Sequence, residues 1–113
     1  MKKIEAIIRP EKLDAVRRSL QESGCMGLMI SEIEGHGKQK GKVQQWRGEK
    51  YKLELLPKIK VEAVVNDSQV SMVIDNIISS AKTGDTGDGK IFVSDIEDAV
   101  RIRTGERGSI AIG

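Results

Sequence analysis

Thr83-Gly84-Asp85-Thr86-Gly87-Asp88-Gly89-Lys90-Ile91-Phe92-Val93 is the stretch on which the reading of the fold turns. Gly84, Gly87 and Gly89 let backbone N–H groups converge without Cβ interference, which is how a loop makes a nest for an anion. Lys90 closes the loop with a point charge. Arg101 and Arg103, a little further on, add two planar forks suited to phosphate oxygens. Gly84-x4-Gly89-Lys90 imitates a P-loop, but the imitation fails twice. Ile91 stands where a magnesium-binding Ser or Thr is required, and the helical pattern precedes the loop while a strand follows it. A P-loop runs from strand to helix. The stretch therefore reads as helix, phosphate-binding loop, strand.

Upstream of the loop, Val70, Val73, Ile74, Ile77, Ile78 and Ala81 form a helical stripe capped by Asn66 or Asp67, and the whole stripe is expected in the core. Before that helix, Ile59, Val61, Ala63 and Val65 alternate over Lys58 to Val65, a strand. At the start of the chain Ile4, Ala6 and Ile8 alternate until Pro10, and Leu13, Val16 and Leu20 then mark a helix over Glu11 to Glu22 with Gly24 as its stop. Gly27 to Ile33 is expected as a second strand ending at Gly35-His36-Gly37. After Lys90 to Ser94 a turn at Asp95 to Glu97 leads to a short strand near Val100 to Arg103. The order β-α-β-β-α-β predicts a ferredoxin-like α+β domain spanning 1–113, an antiparallel sheet with both helices on one face. Ile7, Ile30, Val64 and Ile91 are assigned to the other face. That apolar set predicts self-association.

Composition narrows the class. A charged fraction of 32% beside 38% hydrophobic residues fits a soluble globular chain, and no apolar run is long enough for a membrane helix. The lone Cys25 excludes an internal disulfide and cannot build a zinc site with the lone His36. It is expected as a small buried hydrophobe, and the protein as cytoplasmic. Residues 36–60 hold eight Lys/Arg against Glu49 and Glu54, a local excess of +6 in a chain of net +2. Such a segment favours anionic ligands or acidic partner surfaces. Residues 37–55 show no clean period and read as a long loop. It carries Trp46, Arg47 and Tyr51, residue types that dominate binding energy at contact surfaces.

These residues resemble the PII nitrogen-regulatory signal-transduction proteins from Met1 to about Gly108. The match rests on Met1-Lys2-Lys3-Ile4-Glu5-Ala6-Ile7-Ile8-Arg9-Pro10, Gly37-Lys38-Gln39-Lys40-Gly41, Arg47-Gly48 with Tyr51, Leu56-Pro57-Lys58, Thr83 to Phe92, and Val100-Arg101-Ile102-Arg103-Thr104-Gly105. The resemblance implies a homotrimer that binds ATP or ADP in the clefts between subunits, with 2-oxoglutarate bound through Mg-ATP. Residues 82–90 would be the phosphate loop, 37–55 the protruding T-loop, and 101–113 a C-terminal loop and tail. Gly87, Asp88, Gly89 and Lys90 would cradle phosphates from one subunit while Arg101 and Arg103 grip them from the next. Gly37, Lys38, Gln39, Met29 and Val64 would complete the nucleotide pocket. Gln39 would ligate magnesium through its side-chain oxygen, and Lys58, with the backbone of Gln39, Lys40 and Gly41, would hold 2-oxoglutarate. Trp46 and Arg47 would dock on partners: an ammonium transporter at the membrane, with glutamine synthetase or other nitrogen-assimilation enzymes also implied. Tyr51 stands where many bacterial relatives are uridylylated, but with Lys50 and Lys52 as neighbours. No catalytic residues and no nucleic-acid partner are implied.

Departures from the pattern are local. Leu28-Met29-Ile30 replaces the usual Met-Thr-Val, so the hydroxyl that typically meets adenine is missing. His36 and Glu11 replace Phe, and Trp46 a Tyr. Two other functions share features of this order. An RNA-recognition module needs two or three aromatics on its central strands, and only Phe92 qualifies. An ATP-hydrolysing enzyme needs a positioned general base near the phosphates, where Asp88 is the candidate.

Overall fold

In the computed structural model, which describes residues 1–25, 27–39 and 52–113, the first alternating run forms strand β1, Lys2–Ile8. Ile4, Ala6 and Ile8 face inward and are almost fully buried. Pro10 ends the strand, because its ring pushes the preceding residue out of the helical region; Arg9 sits at φ −66°, ψ 141°. A 3-10 turn, Pro10–Lys12, then leads into helix α1, Leu13–Glu22, which buries Val16 and Leu20. Gly24 follows with φ +87°, as a helix-stopping glycine should. Strands β2, Met29–Gln39, and β3, Lys52–Val65, come next. Asn66 opens the second helical segment: its N–H donates to Gln69 Oε1 at 3.2 Å, and the Gln69 N–H returns to the Asn66 carbonyl at 2.9 Å. The turn Asp67–Gln69 passes into helix α2, Val70–Ala81, then strand β4, Lys90–Asp95, and a single-turn helix α3, Ser109–Ile112.

The four strands form one antiparallel sheet in the order β2-β3-β1-β4. With α1 and α2 packed on each other over one face, this is the ferredoxin-like α+β arrangement read from the sequence. Its core is a sandwich of β1 and β3 side chains with Val16, Leu20, Val73, Ile77 and Ala81 from the helices. Cys25 joins them as the small buried hydrophobe expected of it, and burial pushes its thiol pKa up.

Register corrects the assignment of sheet faces. Ile91 lies opposite Ala6 and Ile30 opposite Val61, and both partners face the helices, so Ile91 and Ile30 do too. Ile7 and Val64 do occupy the open face, with the half-exposed Phe92. Between them runs an ion-pair lattice rather than an apolar sheet: Lys60 to Glu62 at 3.3 Å, Lys60 to Glu5 at 3.8 Å and Lys3 to Glu62 at 3.8 Å. The α2 stripe is likewise wider than its contact. Val73 and Ile77 are buried, but Ile78 is 48% exposed and Ile74 intermediate. These two overhang a cavity of about 360 Å³ between α2 and β4, lined also by Ile8, Ala81, Ile91 and Val93.

Two boundaries differ from the sequence reading. Gly37–Gln39 and Lys52–Leu55 are paired strand, not loop, with Gln39 opposite Lys52 at the end of a two-stranded ribbon. A backbone ladder needs no side-chain alternation, so periodicity could not reveal it. Residues 40–51, the remainder of the expected loop, lie outside the described residues. Near Val100 to Arg103 the expected strand reduces to one bridge, Val100 to Arg107. The chain reverses there, with the Gly105 N–H on the Arg101 carbonyl at 2.7 Å and the Arg101 N–H on the Glu106 carbonyl at 2.9 Å. Gly105 supplies the left-handed φ of +73° that this reversal uses.

Candidate phosphate-binding site

The glycine loop between α2 and β4 requires glycine for two different reasons. Gly89 has φ +105°, and a Cβ there would lie 1.7 Å from the Ile7 carbonyl oxygen, so the backbone passes where no side chain fits. Gly87 has φ +102°, and its Cβ would press on the Arg9 guanidinium at 3.3 Å. The loop thus lies directly on the C-terminal end of β1.

Asp88 is the hub of this loop. Its carboxylate accepts from the Thr83 hydroxyl, from the Thr83 and Gly84 N–H groups at 2.9 Å each, and from Arg9 Nε at 3.1 Å. The Thr83 hydroxyl foremost, then those amides and Arg9, hold its pKa far below the usual carboxylate range. Arg9 Nη2 also donates to the Thr86 carbonyl at 2.9 Å. Lys58, half-buried on β3, donates through Nζ to the Gly87 carbonyl at 2.6 Å. Sequence reasoning gave Arg9 no function. Its partners lie 77 and 79 residues away, so no spacing could signal the contact.

Other candidate residues fall into three groups. Gly87, Asp88, Gly89, Lys90 and Lys58 are together at one end of the sheet, beside Ile7, which pairs with Lys90. Gly37, Lys38 and Gln39, described as backbone only, continue β2 past that same end on the ribbon. Val64 lies on the open face opposite Lys3, four residues along β3 from the Lys60–Ile7 pair. That places it roughly 13 Å from the glycine loop. Met29, 52% exposed and opposite Glu62, is at the same far end. Arg101 and Arg103 follow β4, whose six residues carry the chain roughly 17 Å from the loop. Among the described residues no hydrogen bond or ion pair joins either arginine to Gly87–Lys90. Arg101 is also engaged locally: Nη1 meets Glu106 Oε1 at 2.6 Å, and Nη2 donates to the Ile110 and Gly113 carbonyls at 2.8 and 3.1 Å. The Thr104 hydroxyl, with Arg101, keeps the Glu106 carboxyl below its usual range. Lys40, Gly41, Trp46, Arg47 and Tyr51 lie outside the described residues.

Chemically, the assembled end carries groups suited to an anion. It offers loop amides and the Lys90 ammonium beside a neutralised Asp88–Arg9 pair. A carboxylate so strongly stabilised in its ionised form is a poor proton acceptor. Among the described residues no group of three His, Cys, Asp or Glu gathers as a metal site, and none of their helices is long and apolar enough to cross a membrane.

Comparison with known proteins matches the sequence to a family. The family model described as nitrogen regulatory protein P-II covers residues 1–106. A nitrogen regulatory protein P-II of Nostoc punctiforme is 54% identical over 112 residues, spanning 99% of this chain and 100% of the relative. The nitrogen regulatory protein P-II 2 of Methanothermobacter thermautotrophicus is 52% identical over 99% of this chain and 97% of its own length. A nitrogen regulatory protein P-II of Synechocystis is 52% identical over 99% and 100%. At such identity along its whole length, and with the ferredoxin-like sheet described above, the chain belongs to the nitrogen regulatory protein P-II family.

Proposed function

We propose that the protein is a nitrogen-regulatory signal transducer that senses ATP, ADP and 2-oxoglutarate by binding them between the subunits of a homotrimer. In this reading Gly87, Asp88, Gly89 and Lys90 of one subunit and Arg101 and Arg103 of the next enclose the phosphates. Met29 and Val64 lie toward the nucleoside. The observation that carries the reading is that the glycine loop leads into β4 while the two arginines follow beyond its other end, with no hydrogen bond or ion pair between them among the described residues of one copy. Both sets suit phosphate, and a second copy would unite them.

Magnesium fits this site as a partner of the nucleotide. Asp88 already spends its carboxylate on the loop and Arg9, so oxygen ligands would come from the phosphates and from Gln39. When bound, the ion would supply positive charge between phosphate and keto acid. Lys58, with the Gln39–Gly41 backbone, would take the 2-oxoglutarate carboxylate. The 40–51 segment, with Trp46, Arg47 and Tyr51, would carry the ligand state to an ammonium transporter or a nitrogen-assimilation enzyme. The protein would thus be cytoplasmic and reach the membrane through that partner. Binding rather than hydrolysis is favoured, because Asp88, the carboxylate tied to Thr83, Gly84 and Arg9, is too acidic to serve as a base.

Calorimetry with light scattering tests the reading. A trimer is expected that binds one nucleotide per subunit, and 2-oxoglutarate only with ATP and magnesium. A monomer, or 2-oxoglutarate binding that is equal with ADP, would overturn it.

A further inference from the structure

The amides of a phosphate-binding loop are useful only if they point at the phosphate, and here their direction is set from behind. In a planar trans peptide the carbonyl of one residue and the N–H of the next point to opposite sides. Arg9 Nη2 holds the Thr86 carbonyl at 2.9 Å, so the Gly87 N–H faces away from the sheet. Lys58 Nζ holds the Gly87 carbonyl at 2.6 Å, so the Asp88 N–H does the same. Among the described residues neither amide donates to a protein acceptor. Arg9 is itself fixed: its Nε is on Asp88 Oδ1 at 3.1 Å, only 19% of its side chain is exposed, and Pro10 restricts the backbone that carries it. Its guanidinium lies under Gly87, in the space a Cβ would need.

We propose that Arg9 is the positioning residue of this loop: its fork ties the Asp88 carboxylate to the Thr86 carbonyl and so presents the Gly87 and Asp88 amides to phosphate, with Lys58 as the second hold. Arg9 acts behind the loop, through its peptide planes. The fork matters as well as the charge, since it supplies a separate nitrogen, Nε and Nη2, for each acceptor, which a single ammonium nitrogen does not reproduce. This rests on the nucleotide reading above.

The test is calorimetric titration of ATP and of ADP, without 2-oxoglutarate, into the wild type, Arg9→Gln, Arg9→Lys, Asp88→Asn and the Arg9→Gln/Asp88→Asn double variant, with thermal melting as a control. Arg9→Gln is expected to weaken both nucleotides about tenfold or more, and Arg9→Lys nearly as much. The double variant should be little worse than the poorer single one, because both break the same tie. Exchange of the Gly87 and Asp88 amides should be slowed by nucleotide in the wild type and much less in Arg9→Gln, a readout that a general loss of stability would not produce. Wild-type affinity in Arg9→Gln overturns the proposal, as does full rescue by Arg9→Lys, which would make the effect one of charge alone. Multiplicative losses in the double variant overturn it too. A wild type that binds neither nucleotide would instead overturn the nucleotide reading, and this claim with it.

Discussion

Gly89 and Gly84 share a positive φ, yet they should respond differently to the same substitution. A Cβ at Gly89 meets the Ile7 carbonyl, whereas at Gly84 it meets nothing within 4 Å. Gly89→Ala must move backbone and should cost about 2 kcal/mol or more, while Gly84→Ala carries only conformational strain of about 1 kcal/mol. Urea denaturation of the two variants would show equal losses if the close approach to β1 were absent. Asp88 carries a pH signature. Its folded pKa lies below the ordinary 3.8, so its contribution is complete above that value and is lost as pH falls through the folded one. Asp88→Asn should therefore flatten the acid limb of the stability curve below about pH 4 and leave neutral pH-dependence unchanged. An unaltered acid limb in that variant would contradict the hub. The glycines, Asp88 and Lys90 were legible as one candidate site because they are contiguous. Arg9 was not, since a contact across 79 residues exists only in three dimensions.

Helix α2 shows how far a stripe can be trusted. Its spacing is right and its cap at Asn66 is right, but a stripe six residues wide exceeds what one sheet face can cover. Ile77, 2% exposed, should cost about 2–5 kcal/mol on truncation to Ala, whereas Ile78, 48% exposed, should cost under about 1 kcal/mol. Equal losses in thermal melts would mean that the α2–β4 cavity is filled. The strands teach the converse lesson. Alternation located β1 and the inner half of β3, where one face is buried, and failed at Gly37–Gln39 and Lys52–Leu55, where backbone pairing runs on. Assigning sheet faces needed the register: Ile30 and Ile91 were misplaced because the phase of a strand against its neighbours is not written in its own alternation.

In the whole molecule the glycine loop precedes β4 and Arg101 and Arg103 follow it, and the sheet is open on the face that bears Ile7, Val64 and the Lys60–Glu62 lattice. The fold class was legible in 113 residues. That nucleotide is bound between copies of the chain is the central claim of the proposed function. If nucleotide bridges two copies, Arg101→Ala and Arg103→Ala each remove a charge-assisted contact and should cost about 1.5–3 kcal/mol of ATP affinity, provided phosphate displaces Glu106 from Arg101. The most direct measurement is subunit complementation. An Arg101→Ala/Arg103→Ala variant and a Gly87→Val/Lys90→Ala variant are each titrated with ATP alone, then mixed, refolded together and titrated again. Neither variant should bind ATP by itself, and the mixed oligomers should regain intact sites wherever a sound loop abuts a sound arginine pair. Failure of the mixture to regain any binding, with mixed oligomers demonstrably formed, would place the whole site within one copy and contradict the account.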